Sequence, residues 1–249
     1  MAYNQVVISS GHSVNCQGMS DVINEVNEAI RVTNRVYDIV KAGGKSCYRY
    51  HDTARTSSQN LANIVNFHNQ YKDGIDISVH FNANRHTDSA MGVEVCHYNQ
   101  PTLASNLSAA ISKASGLKNR GAKQRKELYF LRKTNKPALL IEVCFGDSTK
   151  DCQLYKANFE AICQAIASTL TGVSAPVNSP APQTNTSNSS YKVRIRADVL
   201  NVRKGPGANY PVATTVKQND VYTIVEEQNG FLKLKSGAGW ISKNYTVRI

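Results

Sequence analysis

The sequence predicts an α/β protein, a mostly parallel sheet with helices on both faces, joined to a small all-β barrel. Three observations lead there. Over residues 1–170 short apolar runs rich in β-branched residues alternate with amphipathic stretches, a rhythm that belongs to parallel sheets. Residues 171–190, TGVSAPVNSPAPQTNTSNSS, contain no charge and no aromatic residue, the composition of a linker. Residues 191–249 turn to short alternating runs separated by Gly, Pro and Asn, which suits a small bent barrel.

Each element can be justified in turn. QVVISS (5–10) reads as the first strand, and Asp21 to Ala42 as a long helix stopped by Gly43 and Gly44. CYRYH (47–51) reads as a strand, and the capping box Thr56 to Gln59 opens a second helix. IDISVHF (75–81), GVEVCHY (92–98), ELYFLR (127–132) and ALLIEVCF (138–145) read as further strands, with helices expected near 102–115 and 152–170. IDISV and ALLIEV have the continuous apolar character of strands buried on both faces. In the small module the strand-like runs are VRIRADVLNVR, VYTIVEE, FLKLK and GWISKNYTVRI, and no helical period appears.

The formal net charge is +11, which favours an acidic partner but cannot choose between nucleic acid, acidic lipid and an acidic wall polymer. Nineteen basic and fourteen acidic residues give +5 for residues 1–170, and ten against four give +6 for residues 191–249. The small module is therefore the more basic per residue. No basic helix, zinc-finger spacing or basic-aromatic signature supports a nucleic-acid partner. No apolar run approaches membrane length, so no stable membrane association is expected. The start MAYNQVVISSGH lacks a basic segment followed by an apolar one, so no secretory signal is expected. Six cysteines without CxxC pairs predict buried reduced thiols and folding in a reducing cytoplasm.

Four residues carry the chemistry. His12 follows the first strand, Glu25 lies near the start of the first long helix, and His80 ends a buried strand run. All three belong to the strand-end crevice where α/β proteins place their sites. Two neutral imidazoles and one carboxylate are a zinc ligand set that leaves a fourth position for water. Glu142 lies inside the apolar run ALLIEVCF, where an ionised carboxylate is costly unless a cation or hydrogen bonds offset lost hydration. It is the candidate general base and acid. His51, His68, His86 and His97 are read as structural. Cys144, two residues from Glu142, is a rival nucleophile without a neighbouring histidine in sequence. Lys118, Arg120, Lys123, Arg125 and Lys126 form a basic run, read as a solvated loop or a holder of peptide or wall-polymer carboxylates. Asn82 is a candidate substrate contact or a strand-end turn residue.

SSGH, Glu25, ISVHFNA and NRGAKQRKELYFLRKTNKPALLIEVCF make residues 5–170 resemble a zinc-dependent N-acetylmuramoyl-L-alanine amidase of the type 3 family. The resemblance implies zinc ligands at His12, Glu25 and His80, a catalytic glutamate at Glu142, and peptidoglycan as substrate. The sequence departs from the family at HSVNCQGMSD, where a glycine-rich stretch is common, and at EVCF, where Glu-x-Gly-Phe is common. ADVLNVRKGPGANYPVATTVKQNDVYTIVEEQNGFLKLKSGAGWI makes the small module resemble a bacterial SH3-type domain. That implies wall binding, with Trp240, Tyr210, Tyr222 and Tyr245 as candidate contacts. The domains expected are 1–170 catalytic, 171–190 linker and 191–249 SH3-like. Rival readings are a zinc peptidase of the stem peptide and a non-catalytic, metal-stabilised wall-binding protein. A wall hydrolase without a secretory signal implies a phage-type endolysin waiting in the host cytoplasm for membrane permeabilisation, or a sporulation autolysin. Anionic wall polymers are possible further partners.

Overall fold

The computed structural model describes residues 2–173, 190–207, 210–228 and 230–249. The chain divides into two compact units, Met1–Asn178 and Ser179–Ile249. The expected linker lies outside the described residues over 174–189.

The first unit runs β1 (Gln5–Ser10), α1 (Glu25–Ala42), β2 (Ser46–Tyr50), α2 (Ser57–His68), β3 (Ile75–Asn82), β4 (Val93–His97), α3 (Pro101–Ser115), β5 (Asn119–Gln124), α4 (Tyr129–Lys133), β6 (Ala138–Phe145), α5 (Thr149–Ala157) and α6 (Phe159–Thr171). Its six strands are ordered β2-β1-β3-β6-β4-β5. All neighbours are parallel except β4 and β6, which run antiparallel.

Alternation along the strands sorts side chains between two layers. Val6 and Ile8 of β1, Ile75, Ile77 and Val79 of β3, and Leu139, Ile141 and Val143 of β6 enter the major core. There they meet the apolar stripe of α1, which includes Ala29, Val32, Val36 and Val40, together with Leu107 and Ile111 of α3 and Ile162 and Ile166 of α6. The opposite face carries a smaller cluster, in which Ala138, Leu140 and Cys96 pack on Ile64 and Val65 of α2 and on Phe130 and Leu131 of α4. Helices thus cover both faces. On the α2/α4 face the alternate positions of β3, β4 and β6 nearest the crevice are His80, Glu94 and Glu142. The lower part of that face is apolar, and the crevice end is polar.

Local signals account for the helix ends. The Asn24 side chain accepts from the Asn27 amide at 3.0 Å and caps α1. Thr56 accepts from the Gln59 amide and caps α2 as the sequence predicts. Three expectations fail. ELYFLR is not a strand: its core is the short helix α4, because the adjacent Phe130 and Leu131 are both buried in the same cluster, whereas neighbours on a strand face opposite ways. The basic run is not a loop but contributes the edge strand β5, where charge protects the unpaired edge. The expected helix over 152–170 is two helices, broken where the Asn158 amide donates to the carbonyls of Leu154 and Ser115.

The second unit is an antiparallel sheet ordered β13-β7-β10-β11-β12-β8-β9. Its strands are β7 (Tyr191–Ile195), β8 (Val199–Arg203), β9 (Val212–Lys217), β10 (Val221–Gln228), β11 (Phe231–Leu234), β12 (Trp240–Ser242) and β13 (Thr246–Arg248). One core cluster, including Val193, Val202, Ile224, Leu232 and Ile241, holds it together. A single 3-10 turn at Lys243–Tyr245 is its only helical element among the described residues.

Candidate metal centre

His12, Glu25 and His80 converge: one ligand atom from each lies within 4.8 Å of the others. Glu25 is the first residue of α1, so its carboxylate sits at the positive end of that helix. Its Oε1 lies 3.4 Å from His12 Nε2 and 3.2 Å from His80 Nδ1. The backbone orients both carboxylate oxygens, since the Phe81 amide donates to Oε1 at 3.1 Å and the Met19 amide to Oε2 at 2.9 Å. The two imidazoles meet edge to face with ring centres 5.0 Å apart. Ser78 Oγ lies 3.1 Å from His80 Nε2, which leaves Nδ1 facing Glu25.

Two glycines make this convergence possible. A Cβ on Gly11 would stand 1.8 Å from His80 Nε2, and one on Gly18 would stand 2.0 Å from Glu25 Oε2 and 2.7 Å from His12 Cδ2. The His12 loop is clamped by Ser13, whose hydroxyl donates to the Ala54 carbonyl, and by Asn15, whose amide donates to the Thr53 carbonyl.

Glu142 stands opposite His80 in the β3–β6 register and opposite Glu94 in the β4–β6 register. Its Oε2 is buried and has no hydrogen-bond partner among the described residues. Burial, joined by the charges of Glu25 and Glu94, pushes its carboxyl up to about 8. Glu25 goes the other way: burial opposes ionisation, but hydrogen bonds from His12 and His80 outweigh it and hold the carboxyl below the usual range. Burial also lowers His80, against the pull of Glu25, and so favours neutral imidazole. Neutral imidazole, carboxylate and imidazole are a zinc donor set. An orphaned buried carboxylate beside them is what a nearby cation would compensate, so the residues fit the metal.

The remaining sequence candidates separate. Cys144 turns away: a register shift after His80 and Glu142 places it in the major core, and burial raises its thiol well above the ordinary value. All six cysteines are free, with Cys16 half-buried and the other five buried. His68 is enclosed with Asp76 and Ser9, at 2.8 and 3.0 Å, and the Lys136 ammonium completes that network. His51 bridges Ser10 and Asn34, His97 accepts from the Gln100 amide, and His86 pairs with Asp21 on the surface. Asn82 occupies the strand-end turn: its side-chain carbonyl oxygen accepts from the Ala83 amide, and its side-chain amide donates to Glu94. In the small unit Trp240 is buried and Tyr222 packs against the core, whereas Tyr210 and Tyr245 are exposed.

Sequence reasoning passed over Glu94 and Ser78. Glu94 carries the same signal as Glu142, an acidic residue between valines in an apolar strand, and the same criterion would have found it.

These features define an α/β protein with a candidate divalent-metal centre at its strand-end crevice. Residues 6–172 match the N-acetylmuramoyl-L-alanine amidase family, and the chain belongs to it. Residues 198–247 match the bacterial SH3 domain. The first unit is similar to the catalytic domain of an endolysin targeting Clostridia difficile, at 24% identity and a TM-score of 0.61, covering 67% of this chain and 96% of that one. It is also similar to the amidase AmiC2 of Nostoc punctiforme, at 22% identity and a TM-score of 0.59, covering 68% and 97%. At these identities the likeness shows the fold. Among curated proteins, an uncharacterised protein of Clostridium perfringens strain 13 is 27% identical over 157 residues, 61% of this chain and 47% of the relative. A 38.4 kDa uncharacterised protein of Clostridium perfringens is 30% identical over 134 residues, 50% and 39% respectively. The match thus spans less than half the length of these curated relatives.

Proposed function

We propose that this chain hydrolyses the amide joining the lactyl group of N-acetylmuramic acid to L-alanine in peptidoglycan. In this reading His12, Glu25 and His80 hold zinc and Glu142 is the catalytic acid-base. When bound, the metal supplies Lewis acidity and a water nucleophile competent at neutral pH. The observation that carries the proposal is the pairing of three converged ligands with the unpartnered carboxylate of Glu142, in register with His80.

The protein's own residues supply the proton chemistry. Glu142, buried, without a hydrogen-bond partner among the described residues and in register with His80, is placed to take a proton from the attacking water and return it to the alanine nitrogen as that nitrogen leaves. Glu25 stays ionised through the hydrogen bonds around it, so the two carboxylates divide into a fixed charge and a proton carrier.

The domain organisation follows the same reading: a catalytic domain over residues 1–170, a linker over 171–190 and a wall-binding domain over 191–249. The basic second domain keeps the enzyme on an insoluble, anionic substrate and raises its effective concentration there. Membership of the amidase family and likeness to an endolysin catalytic domain support a lytic role on the wall. The test is digestion of purified peptidoglycan with and without a chelator, with mass spectrometry of the new ends. Free muramic lactate and free alanine amine, lost on chelation, support the proposal. New ends within the stem peptide would redirect it to a peptidase, and no new ends to a binding protein.

A further inference from the structure

The sheet edge beside Glu142 carries a second built feature. Glu94, 6% exposed, stands opposite Glu142 across the β4–β6 pair. Both its oxygens are occupied: Oε1 accepts from Asn82 Nδ2 at 3.2 Å and Oε2 accepts from Arg120 Nε at 2.7 Å. The Arg120 guanidinium also lies 4.9 Å from the ring centre of Phe145, at the end of the strand that carries Glu142. Arg120 therefore reaches from edge strand β5 across β4 to the end of β6.

A bulge aims it there. Val93 pairs with Asn119 and Val95 with Ala122, so Arg120 and Gly121 together face Glu94, the arrangement by which a bulge redirects a side chain next to a site. Gly121 takes φ 77°, a left-handed conformation that glycine adopts without strain. Its amide donates to Asn119 Oδ1 at 2.9 Å and to Ser108 Oγ at 3.2 Å. Thus α3 and the start of β5 fix the turn that points Arg120 at the crevice.

Only Nε of this guanidinium is used. Neither Nη group has a partner among the described residues, and the side chain is 31% exposed. A guanidinium tied along one edge and on one face, with the other edge free, is a preorganised fork for a carboxylate. Under the amidase reading, on which this inference rests, the lactyl carboxyl is consumed in the scissile amide, so free carboxylates lie on the peptide side. A free carboxylate arriving at an edge that already carries Glu94 is received best by a cation with unused donors.

We propose that Arg120 is a specificity-determining residue that binds the first free carboxylate on the peptide side of the scissile amide. The experiment compares two soluble muramoyl peptides, identical except that this carboxylate is free in one and a primary amide in the other. Wild-type enzyme is expected to favour the acid in kcat/KM. In Arg120→Ala the acid-to-amide ratio of kcat/KM falls by about tenfold to a hundredfold, chiefly through a higher KM for the acid. Arg120→Lys, which keeps the charge without the fork, falls between, and serves if the alanine variant does not fold. Arg125→Ala, a control for bulk charge just past the end of the same strand, changes the acid-to-amide ratio by less than about threefold.

Equal wild-type kcat/KM on the two peptides would leave the amidase reading standing and overturn this assignment. So would an equal loss of kcat on both in Arg120→Ala, which would make Arg120 a prop for Glu94, or an equal effect of Arg125→Ala. Failure of wild-type enzyme on both peptides and on whole peptidoglycan would remove the amidase reading and this inference together.

Discussion

Glu142 faces His80 directly across the β3–β6 ladder, and its buried Oε2 has no partner, whereas His80 is tied to Glu25 and Ser78. One strand pair thus presents a fixed imidazole and a free carboxylate to the same crevice. In the proposed reading the free carboxylate moves protons and the fixed imidazole holds an ion.

If so, Glu142→Gln separates chemistry from assembly. The variant should keep its fold and its zinc but lose about 10²- to 10⁴-fold in kcat on peptidoglycan. Elemental content and turnover, measured on one preparation, check this. Loss of zinc along with activity would place Glu142 among the ligands.

The raised carboxyl of Glu142 also predicts a pH dependence of the chelated protein. Its folded-state value of about 8 lies above the ordinary 4.5, so the folded state binds the proton more tightly than the unfolded chain. The resulting stability is full below about pH 4.5 and is lost as pH rises through about 8, by at most about 1.4 kcal/mol per pH unit. Thermal unfolding of chelated wild type should show this decline, and Glu142→Gln should lack it. A wild-type midpoint that rises over the window relative to the variant would contradict the sign.

The network under the smaller core should set much of the stability. Asp76 holds His68 at 2.8 Å and the buried Lys136 ammonium at 2.8 Å. Asp76→Ala strands that ammonium and should cost about 3–5 kcal/mol, measured by denaturant unfolding. A cost below 1 kcal/mol, roughly that of a surface pair, would show that the network is solvated.

Removing the second unit, residues 179–249, should spare catalysis on soluble muramoyl peptides and lower it on whole walls. The first unit carries its own core and every residue of the candidate centre. Parallel assays on the two substrates decide it. Equal activity on walls would deny the small domain a targeting role.

Much of this was legible in the chain. His12, Glu25 and His80 could be placed because each adjoins an element with a strong signal: the run QVVISS, the amphipathic stretch to Ala42, and the buried run IDISV. Glu142 announced itself as a charge in an apolar strand. The misreadings share a cause. ELYFLR has strand-like residues but is held as a helix by tertiary packing of Phe130 and Leu131, and the edge strand β5 has no apolar alternation because it has little to bury. The clamp on the His12 loop and the Arg120 bulge depend on segments distant in sequence coming together, which no local pattern reveals.

Zinc stoichiometry across single variants tests the central claim most directly. Elemental analysis after dialysis should find one zinc per chain in wild type and in Glu142→Gln, and little or none in His12→Ala, Glu25→Ala and His80→Ala, each confirmed folded. Full zinc retention in a folded Glu25→Ala or His80→Ala protein, or wild-type turnover in a metal-free preparation, would contradict the account.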